Sequence, residues 1–190
     1  RIIAPITETN IDEVLEMGCW TPVIRTSLDA NDSAEVYAEQ LSADGSHFKV
    51  LQHGIVKGIV RWNMTGQHSV ANALATIVAA EHVGVSIEVA CEALSNFGGV
   101  KRRMELLDTV NGIEVYDDFA HHPTAIDTTL EGARKRLDER KLWAIIEPRS
   151  NTMRMGSHKD GLAYSARLAD EVIWYQPEGL DWDLQPVIDA

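Results

Sequence analysis

Residues 117–124 (DDFAHHPT) stand between a strand-like segment and a segment typical of a helix, and this change of pattern decides the predicted fold. Pro123 suits the first turn of a helix, because the N–H that it lacks would have no partner there. After it we predict a helix over 123–137, a strand over 142–146, a helix over 161–168 and a strand over 172–175. Strands that alternate with helices predict parallel βαβ units, which bind ligands at the carboxyl ends of their strands.

The residues before 104 show a different organisation. Residues 47–62 alternate between apolar and polar and turn near His53, which predicts a β-hairpin. Residues 70–80 are Ala-rich and apolar all round, which predicts a buried helix. A short helix capped by Asn10, a second helix over 86–95, and two strands between 104 and 116 complete the prediction. The composition changes near 104–112, where we expect a domain boundary.

Composition excludes several classes of function. The 190 residues carry 17 Lys and Arg against 29 Asp and Glu, and the net charge of −12 argues against non-specific binding of nucleic acid. No apolar run approaches the roughly 20 residues that a membrane span needs, so we predict no membrane association. Cys19 and Cys91 lie far apart without metal-type spacing, which suits a reducing cytoplasm.

Residues 117–124 contain two Asp and two His side chains, and the residues alone allow three interpretations. A carboxylate at the end of a strand and beside a helix start can accept hydrogen bonds from a ribose diol. Two Asp and two His side chains are also suitable metal ligands, as in a metal-dependent hydrolase, although adjacent His side chains at a helix start point about 100° apart. The third interpretation is a helix cap with a surface His pair.

Two further segments suit a nucleotide. Residues 97–105 (FGGVKRRME) place three consecutive cations after two glycines, which suits a phosphate but is also typical of a solvated charge cluster. In residues 66–74 (GQHSVANAL), His68 and Asn72 are four apart and share one side of a helix start. An Asn amide can donate and accept at once, as an adenine edge requires, and a plain polar cap is equally consistent with the spacing.

Residues 147–156 (EPRSNTMRMG) follow an apolar strand. Arg149 and Arg154 are able to bind carboxylates in a bidentate manner, and without other evidence the segment is a polar loop. The chain contains no G-x-x-x-x-G-K-[ST] phosphate loop and no G-x-G-x-x-G motif. A nucleotide enzyme would therefore have its phosphate loop outside this sequence.

Taken in this order, the four segments resemble the Mur ligases, and the strings DDFAHHPTAI and EPRSNTMRMG are similar to the branch that adds a whole peptide. The resemblance implies an α/β fold in which residues 1–106 end a central ATPase domain. Residues 107–190 then form a Rossmann-like carboxy-terminal domain with a mostly parallel sheet. It also implies that the chain is part of a longer protein, with the phosphate loop and the Mg²⁺ ligands before Arg1.

The activity implied by the resemblance is an ATP-dependent ligation in peptidoglycan recycling in the cytoplasm. UDP-N-acetylmuramate would be joined through an acyl phosphate to the tripeptide L-Ala-γ-D-Glu-meso-diaminopimelate. The alternatives are another ligase of the family, such as the one that adds L-alanine, and a non-catalytic nucleotide-binding module. We expect the isolated chain to be inactive, because the partner regions of its own protein are missing.

The resemblance also implies roles for individual residues. The implied nucleotide-binding residues are His68, Asn72, Arg103 and Asp118. Asn72 would contact the adenine, Arg103 the phosphates and Asp118 the ribose. His121 faces the incoming amine, and Arg149 and Asn151 belong to the loop that contacts the same substrate. Arg103 and His121 are the expected catalytic residues, and no metal ligand is expected within the chain.

Overall fold

The computed structural model describes residues 1–31, 33–137 and 139–189, and the chain forms two compact units, Arg1–Gly98 and Gly99–Ala190. The division between Gly98 and Gly99 follows the end of a helix. The sequence-based boundary after residue 106 falls inside a strand of the second unit, Glu105–Val110. Each unit has its own hydrophobic core.

A five-stranded sheet forms the centre of the first unit. Its strands, in spatial and chain order, are β1 (Ile2–Pro5), β2 (Val23–Ser27), β3 (Val36–Gln40), β4 (His47–Gln52) and β5 (Ile55–Arg61). β1, β2 and β3 are parallel, and β4 and β5 are antiparallel to their neighbours. The turn between β4 and β5 has His53 and Gly54 both at positive φ, 49° and 79°, as a tight two-residue hairpin turn requires. The predicted hairpin is confirmed.

Three helices accompany this sheet: α1 (Thr9–Glu16), α2 (Gln67–His82) and α3 (Ile87–Ser95). The predicted buried helix is α2, whose Leu74 and Ile77 pack against a core that includes Phe48. Ser86 is the N-cap of α3, and its hydroxyl accepts a hydrogen bond from Val89 N. The predicted N-cap of the first helix was wrong: α1 starts at Thr9, and Asn10 lies inside it.

The second unit begins with an antiparallel hairpin of β6 (Glu105–Val110) and β7 (Ile113–Asp117). The remaining elements are α4 (Pro123–Leu137), β8 (Trp143–Ile146), α5 (Asn151–Arg154), α6 (Lys159–Ser165), β9 (Glu171–Trp174) and α7 (Gln185–Ile188). β8 and β9 pair in parallel, so the predicted crossover through helices is confirmed. Pro123 opens α4, as expected.

The core of the second unit lies between its helices and the parallel pair. Ile126 and Leu130 of α4 pack with Ile146 of β8, together with Met153 and Leu162. None of the helices in the described part of the chain is long and apolar enough to cross a membrane. This core brings the carboxyl end of β8 next to the start of α4, where the chemically interesting segments lie.

Candidate functional site

Asp118 follows β7, and its carboxylate accepts hydrogen bonds from two backbone amides and one side-chain hydroxyl. Oδ2 accepts a hydrogen bond from Met104 N at 2.8 Å, and Oδ1 accepts one from Ala120 N at 2.8 Å. The Thr129 hydroxyl of α4 also donates to Oδ1, at 3.4 Å. An ionised carboxylate offers about four acceptor sites. Asp118 therefore has an acceptor site left for a ligand while it holds this part of the unit.

The turn before β6 has an uncommon backbone conformation. Arg102 and Met104 both adopt positive φ, 58° and 47°, a region that non-glycine residues rarely occupy. Arg102 N donates to Glu105 Oε2 at 2.8 Å, and Arg102 O accepts from Phe119 N at 2.8 Å. The Arg102 guanidinium also pairs with Asp117, with Nε 3.3 Å from Oδ2. Arg102 is therefore held on all sides.

Arg103, its neighbour, is differently placed. Its guanidinium carbon lies 5.7 Å from the centre of the Phe119 ring, and that of Arg102 lies at 4.9 Å. Such a distance is within reach of a cation–π contact. Within the described part of the chain, Arg103 has no carboxylate partner, and its side chain is exposed. Of the two arginines, Arg103 is the one whose guanidinium is available to an anion.

His121 presents one ring nitrogen to solvent. Its Nδ1 lies 2.8 Å from Phe119 O, and the two rings are 4.7 Å apart between centroids. A carbonyl oxygen only accepts hydrogen bonds, so Nδ1 carries the proton of this contact. In the tautomer that this contact favours, Nε2 is the ring nitrogen without a proton, and the exposed side chain leaves it open to a ligand. The arrangement suits a group that binds or deprotonates an amine.

His122 faces a different neighbour. Its Nδ1 accepts a hydrogen bond from Thr124 N at 3.3 Å, and its ring stacks edge-on against His158 with centroids 4.3 Å apart. The two adjacent His rings therefore have separate surroundings. Over residues 1–31, 33–137 and 139–189, no three His, Cys, Asp or Glu side chains are grouped as metal ligands. Asp117, Asp118, His121 and His122, which the metal interpretation requires together, therefore form no such group.

Ser150 joins the loop after β8 to the loop after β7. Its hydroxyl donates to His121 O at 3.3 Å and accepts from Met153 N, also at 3.3 Å, as the N-cap of α5. Arg149 and Asn151 flank this serine, and both are exposed. The structure thus brings together the two segments, 117–124 and 147–156, that sequence analysis placed at strand ends.

Arg154, at the other end of α5, is only partly exposed, and its Nε is buried without a hydrogen-bond partner among the described residues. Its guanidinium is thus less accessible than that of Arg149. Of the two arginines proposed for carboxylate binding, Arg149 has the more open position.

In the first unit, His68 and Asn72 lie in the first turns of α2 and are both exposed. The backbone oxygen of Asn72 accepts from the Thr76 hydroxyl at 2.8 Å, while its side-chain amide makes no hydrogen bond to any described residue. Ser69, between them, is buried and donates to Thr65 O at 2.7 Å. The amide of Asn72 is therefore free to pair with a ligand.

Sequence analysis did not single out Phe119, Met104 or Thr129. Phe119 is an exposed aromatic residue. Its position inside a polar segment is the sequence feature that could have indicated a role in the site. The roles of Met104 and Thr129 depend on contacts made across the fold, and no local pattern indicates them. Two open surface depressions of about 450 and 590 Å³ lie in the first unit, and neither is lined by a predicted site residue.

Comparison with known proteins places this geometry in a family. Residues 102–185 match the family described as Mur ligase, glutamate ligase domain, which covers nearly all of the second unit. The second unit thus contains a Mur ligase domain, and the resemblance to that family is confirmed. Its α/β architecture matches solved structures of that family.

Three relatives illustrate the similarity. The UDP-N-acetylmuramate–L-alanyl-gamma-D-glutamyl-meso-2,6-diaminoheptandioate ligase of Haemophilus influenzae is 44% identical over 187 residues, which are 98% of this chain and 40% of that protein. The crystal structure of a murein peptide ligase from Psychrobacter arcticus has a TM-score of 0.70 and 55% identity, over 99% of this chain and 39% of that one. A UDP-N-acetylmuramate–L-alanine ligase of Desulfitobacterium hafniense is 37% identical over 155 residues, covering 80% of this chain and 34% of that protein. The chain thus spans about two fifths of the length of the curated relatives to which it is 41–44% identical.

Proposed function

We propose that this chain is part of an ATP-dependent amide ligase that joins UDP-N-acetylmuramate to L-Ala-γ-D-Glu-meso-diaminopimelate. The observation that carries the proposal is the contact between Ser150 and His121 O, which places the loops after β7 and β8 side by side. One loop offers an exposed imidazole and the other an exposed guanidinium, Arg149. An amine and a carboxylate of one peptide substrate would be recognised by this pair.

The proposed reaction has two steps. The muramate carboxylate attacks the γ-phosphorus of ATP, which forms an acyl phosphate and releases ADP. The amine of the tripeptide then attacks the acyl carbon, the C–O bond to phosphate breaks, and the amine proton leaves. The protein contributes positions and fixed charges to both steps.

Arg103 is the residue that we assign to the ATP phosphates. Its exposed guanidinium carries a permanent charge and donors in a planar fork, which match phosphate oxygens. Asp118 would accept a ribose hydroxyl with the acceptor site that its backbone contacts leave. In the first unit, the unpaired amide of Asn72 would read the adenine edge, with His68 beside it on the nucleotide.

His121 is the residue that we assign to the incoming amine. In the tautomer that the contact between Nδ1 and Phe119 O favours, its Nε2 is the nitrogen without a proton. It would accept a hydrogen bond or a proton from the ammonium group of the peptide. Arg149 would pair with a peptide carboxylate, and Asn151, in the first turn of α5, would hydrogen-bond the same substrate.

Mg²⁺ is expected with ATP in a reaction of this kind, and we propose that its ligands lie outside this chain. We propose a cytoplasmic location for the protein. We also propose that the 190-residue chain alone does not turn over, because it spans about two fifths of its relatives.

A substrate panel on the purified full-length protein tests the proposed function. ADP release would be measured with ATP, UDP-N-acetylmuramate and either the tripeptide or L-alanine. We expect the tripeptide to support turnover at least tenfold better in kcat/KM than L-alanine, about the discrimination that 1.4 kcal/mol of differential binding gives. A preference for L-alanine would instead identify the alanine-adding type of ligase. ADP release that is the same with and without any amine would exclude a ligase.

A further inference from the structure

We infer that Asp118 is a positioning residue for Arg103, in addition to any contact that it makes with a nucleotide. Its carboxylate holds residues 102–104 in a left-handed turn, and that turn carries the Arg103 guanidinium to its place beside Phe119. The consequence for catalysis rests on the proposed function, whereas the consequence for the turn does not.

The turn needs external support. Arg102 and Met104, one on each side of Arg103, have φ of 58° and 47°. Side chains with a Cβ are strained in this region, and such residues persist only where the surrounding structure fixes them. Two of them within three residues make a conformation that the isolated segment would not keep.

The support comes almost entirely from residues 117–119. Asp118 Oδ2 accepts from Met104 N at 2.8 Å, which fixes one left-handed residue. Phe119 N donates to Arg102 O at 2.8 Å, and Asp117 pairs with the Arg102 guanidinium at 3.3 Å, which fix the other. Glu105 accepts from Arg102 N at 2.8 Å. The segment proposed to hold the ribose therefore also shapes the turn proposed to serve the phosphates.

The same contacts give Arg102 and Arg103 different roles. Arg102 is used as an anchor, since its N–H, its carbonyl and its guanidinium are all engaged. Arg103 is left with the Phe119 ring as its side-chain contact among the described residues. Removal of the Asp118 carboxylate would release Met104 N and let the turn relax, which would displace the Arg103 guanidinium from its preset position.

Kinetics of the full-length protein provide the first test. For Asp118→Ala we expect kcat to fall on the order of 10- to 100-fold, the effect of misplacing a catalytic group by about 1 Å, in addition to any rise in KM for ATP. Because glycine adopts the left-handed region without strain, Met104→Gly in the Asp118→Ala background should recover roughly threefold or more of the lost kcat. Val100→Gly in the same background, where φ is ordinary, should recover nothing.

If Asp118→Ala raises KM for ATP and leaves kcat unchanged, the inference is overturned, because Asp118 would then serve only as a ribose contact. Equal recovery with Met104→Gly and Val100→Gly would overturn it too.

The second test does not depend on ligase activity. Methionine-labelled full-length protein would be examined by NMR, with the Cα shift and the HN–Hα coupling of Met104 as reporters of its φ and amide exchange as a reporter of its hydrogen bond. We expect Asp118→Ala to move Met104 out of the left-handed region and to accelerate exchange of its amide by tenfold or more, the factor that corresponds to loss of a typical hydrogen bond. Unchanged NMR parameters of Met104 in that variant would overturn the inference.

If the wild-type protein shows no ligase activity, the proposed function fails. The NMR measurement on Met104 still decides the role of Asp118.

Discussion

Gly58 of β5 and Cys91 of α3 form a very close contact in the first unit. A Cβ placed on Gly58 would lie 2.7 Å from Cys91 Sγ and 2.9 Å from Cys91 Cβ. Cys91 is buried, so it has little room to move away. The absence of a side chain at position 58 is what lets α3 lie against the sheet.

Gly58→Ala should therefore lower the free energy of unfolding by about 1–3 kcal/mol, the usual cost of overpacking a core. Urea denaturation of the 190-residue chain would measure it. Gly98→Ala is the matched control, since nothing lies within 4 Å of a Cβ at that position. An equal decrease in the free energy of unfolding of the two variants would contradict a close contact between β5 and α3.

The two cysteines should differ in reactivity. Burial, with a smaller contribution from the nearby Glu88 charge, raises the pKa of the Cys91 thiol to about 11. Cys19 is exposed. At pH 8 we expect the folded 190-residue chain to react rapidly with a thiol reagent at Cys19 alone, and at Cys91 only after unfolding, because the thiolate is the reactive form. Rapid reaction of Cys19→Ser would contradict this.

At the residue scale, the sequence identified the charged side chains of the site but not their partners or their backbone conformation. Arg102 and Arg103 are indistinguishable in the sequence, since both follow two glycines in the same run of cations. Only the fold shows that Asp117 engages one of them and leaves the other. The left-handed conformation of Arg102 and Met104 was equally unpredictable, because neither residue type favours it.

At the scale of elements, Arg134 and Asp170 connect the end of α4 to the strands β8 and β9. Arg134 Nη2 donates to Asp170 Oδ2 at 2.7 Å and to Leu168 O at 2.9 Å. Asp170 Oδ2 also accepts from Leu142 N at 2.7 Å, just before β8. These contacts lower the pKa of the Asp170 carboxyl, with the hydrogen bond from Arg134 as the main cause and that from Leu142 next.

A carboxyl whose pKa is lower in the folded state stabilises the fold above its unfolded pKa, about 3.9 for Asp, and loses this contribution as the pH falls through the folded value. Asp170→Asn should therefore lower the thermal midpoint at pH 7, and the difference from wild type should shrink as the pH falls below about 4. Glu178→Gln, an exposed carboxylate after β9, is the control and should change little. A constant difference from pH 7 to pH 3 would contradict the assignment.

Elements with strong local signals were predictable. The bounds of α4, Pro123–Leu137, agree with the predicted helix, and β8, β9 and the β4–β5 hairpin were also anticipated. β1 to β3 are only four or five residues long and lack a clean alternation, so their pattern is weak. α5 and α7 are single turns of four residues that depend on local capping and tertiary contacts, such as the Ser150 cap.

For the whole molecule, two compact units follow one another along the chain, each with a separate core. The change of composition near residue 104 predicted a domain boundary after residue 106, and this division into domains stays a prediction. The family could be inferred only from the combination of four segments, because each segment alone was consistent with a cap, a loop or a charge cluster. The roles of individual residues remain predictions.

The central claim is that the chain contributes separate groups for the nucleotide and for the peptide amine. It is tested most directly by comparing KM values of full-length Asn72→Ala and His121→Ala. Asn72→Ala should raise KM for ATP roughly tenfold and leave KM for the tripeptide unchanged, since one ligand hydrogen bond is lost. His121→Ala should raise KM for the tripeptide, or lower kcat, and leave KM for ATP unchanged. The reverse pattern, or a rise in both KM values in both variants, would contradict the account.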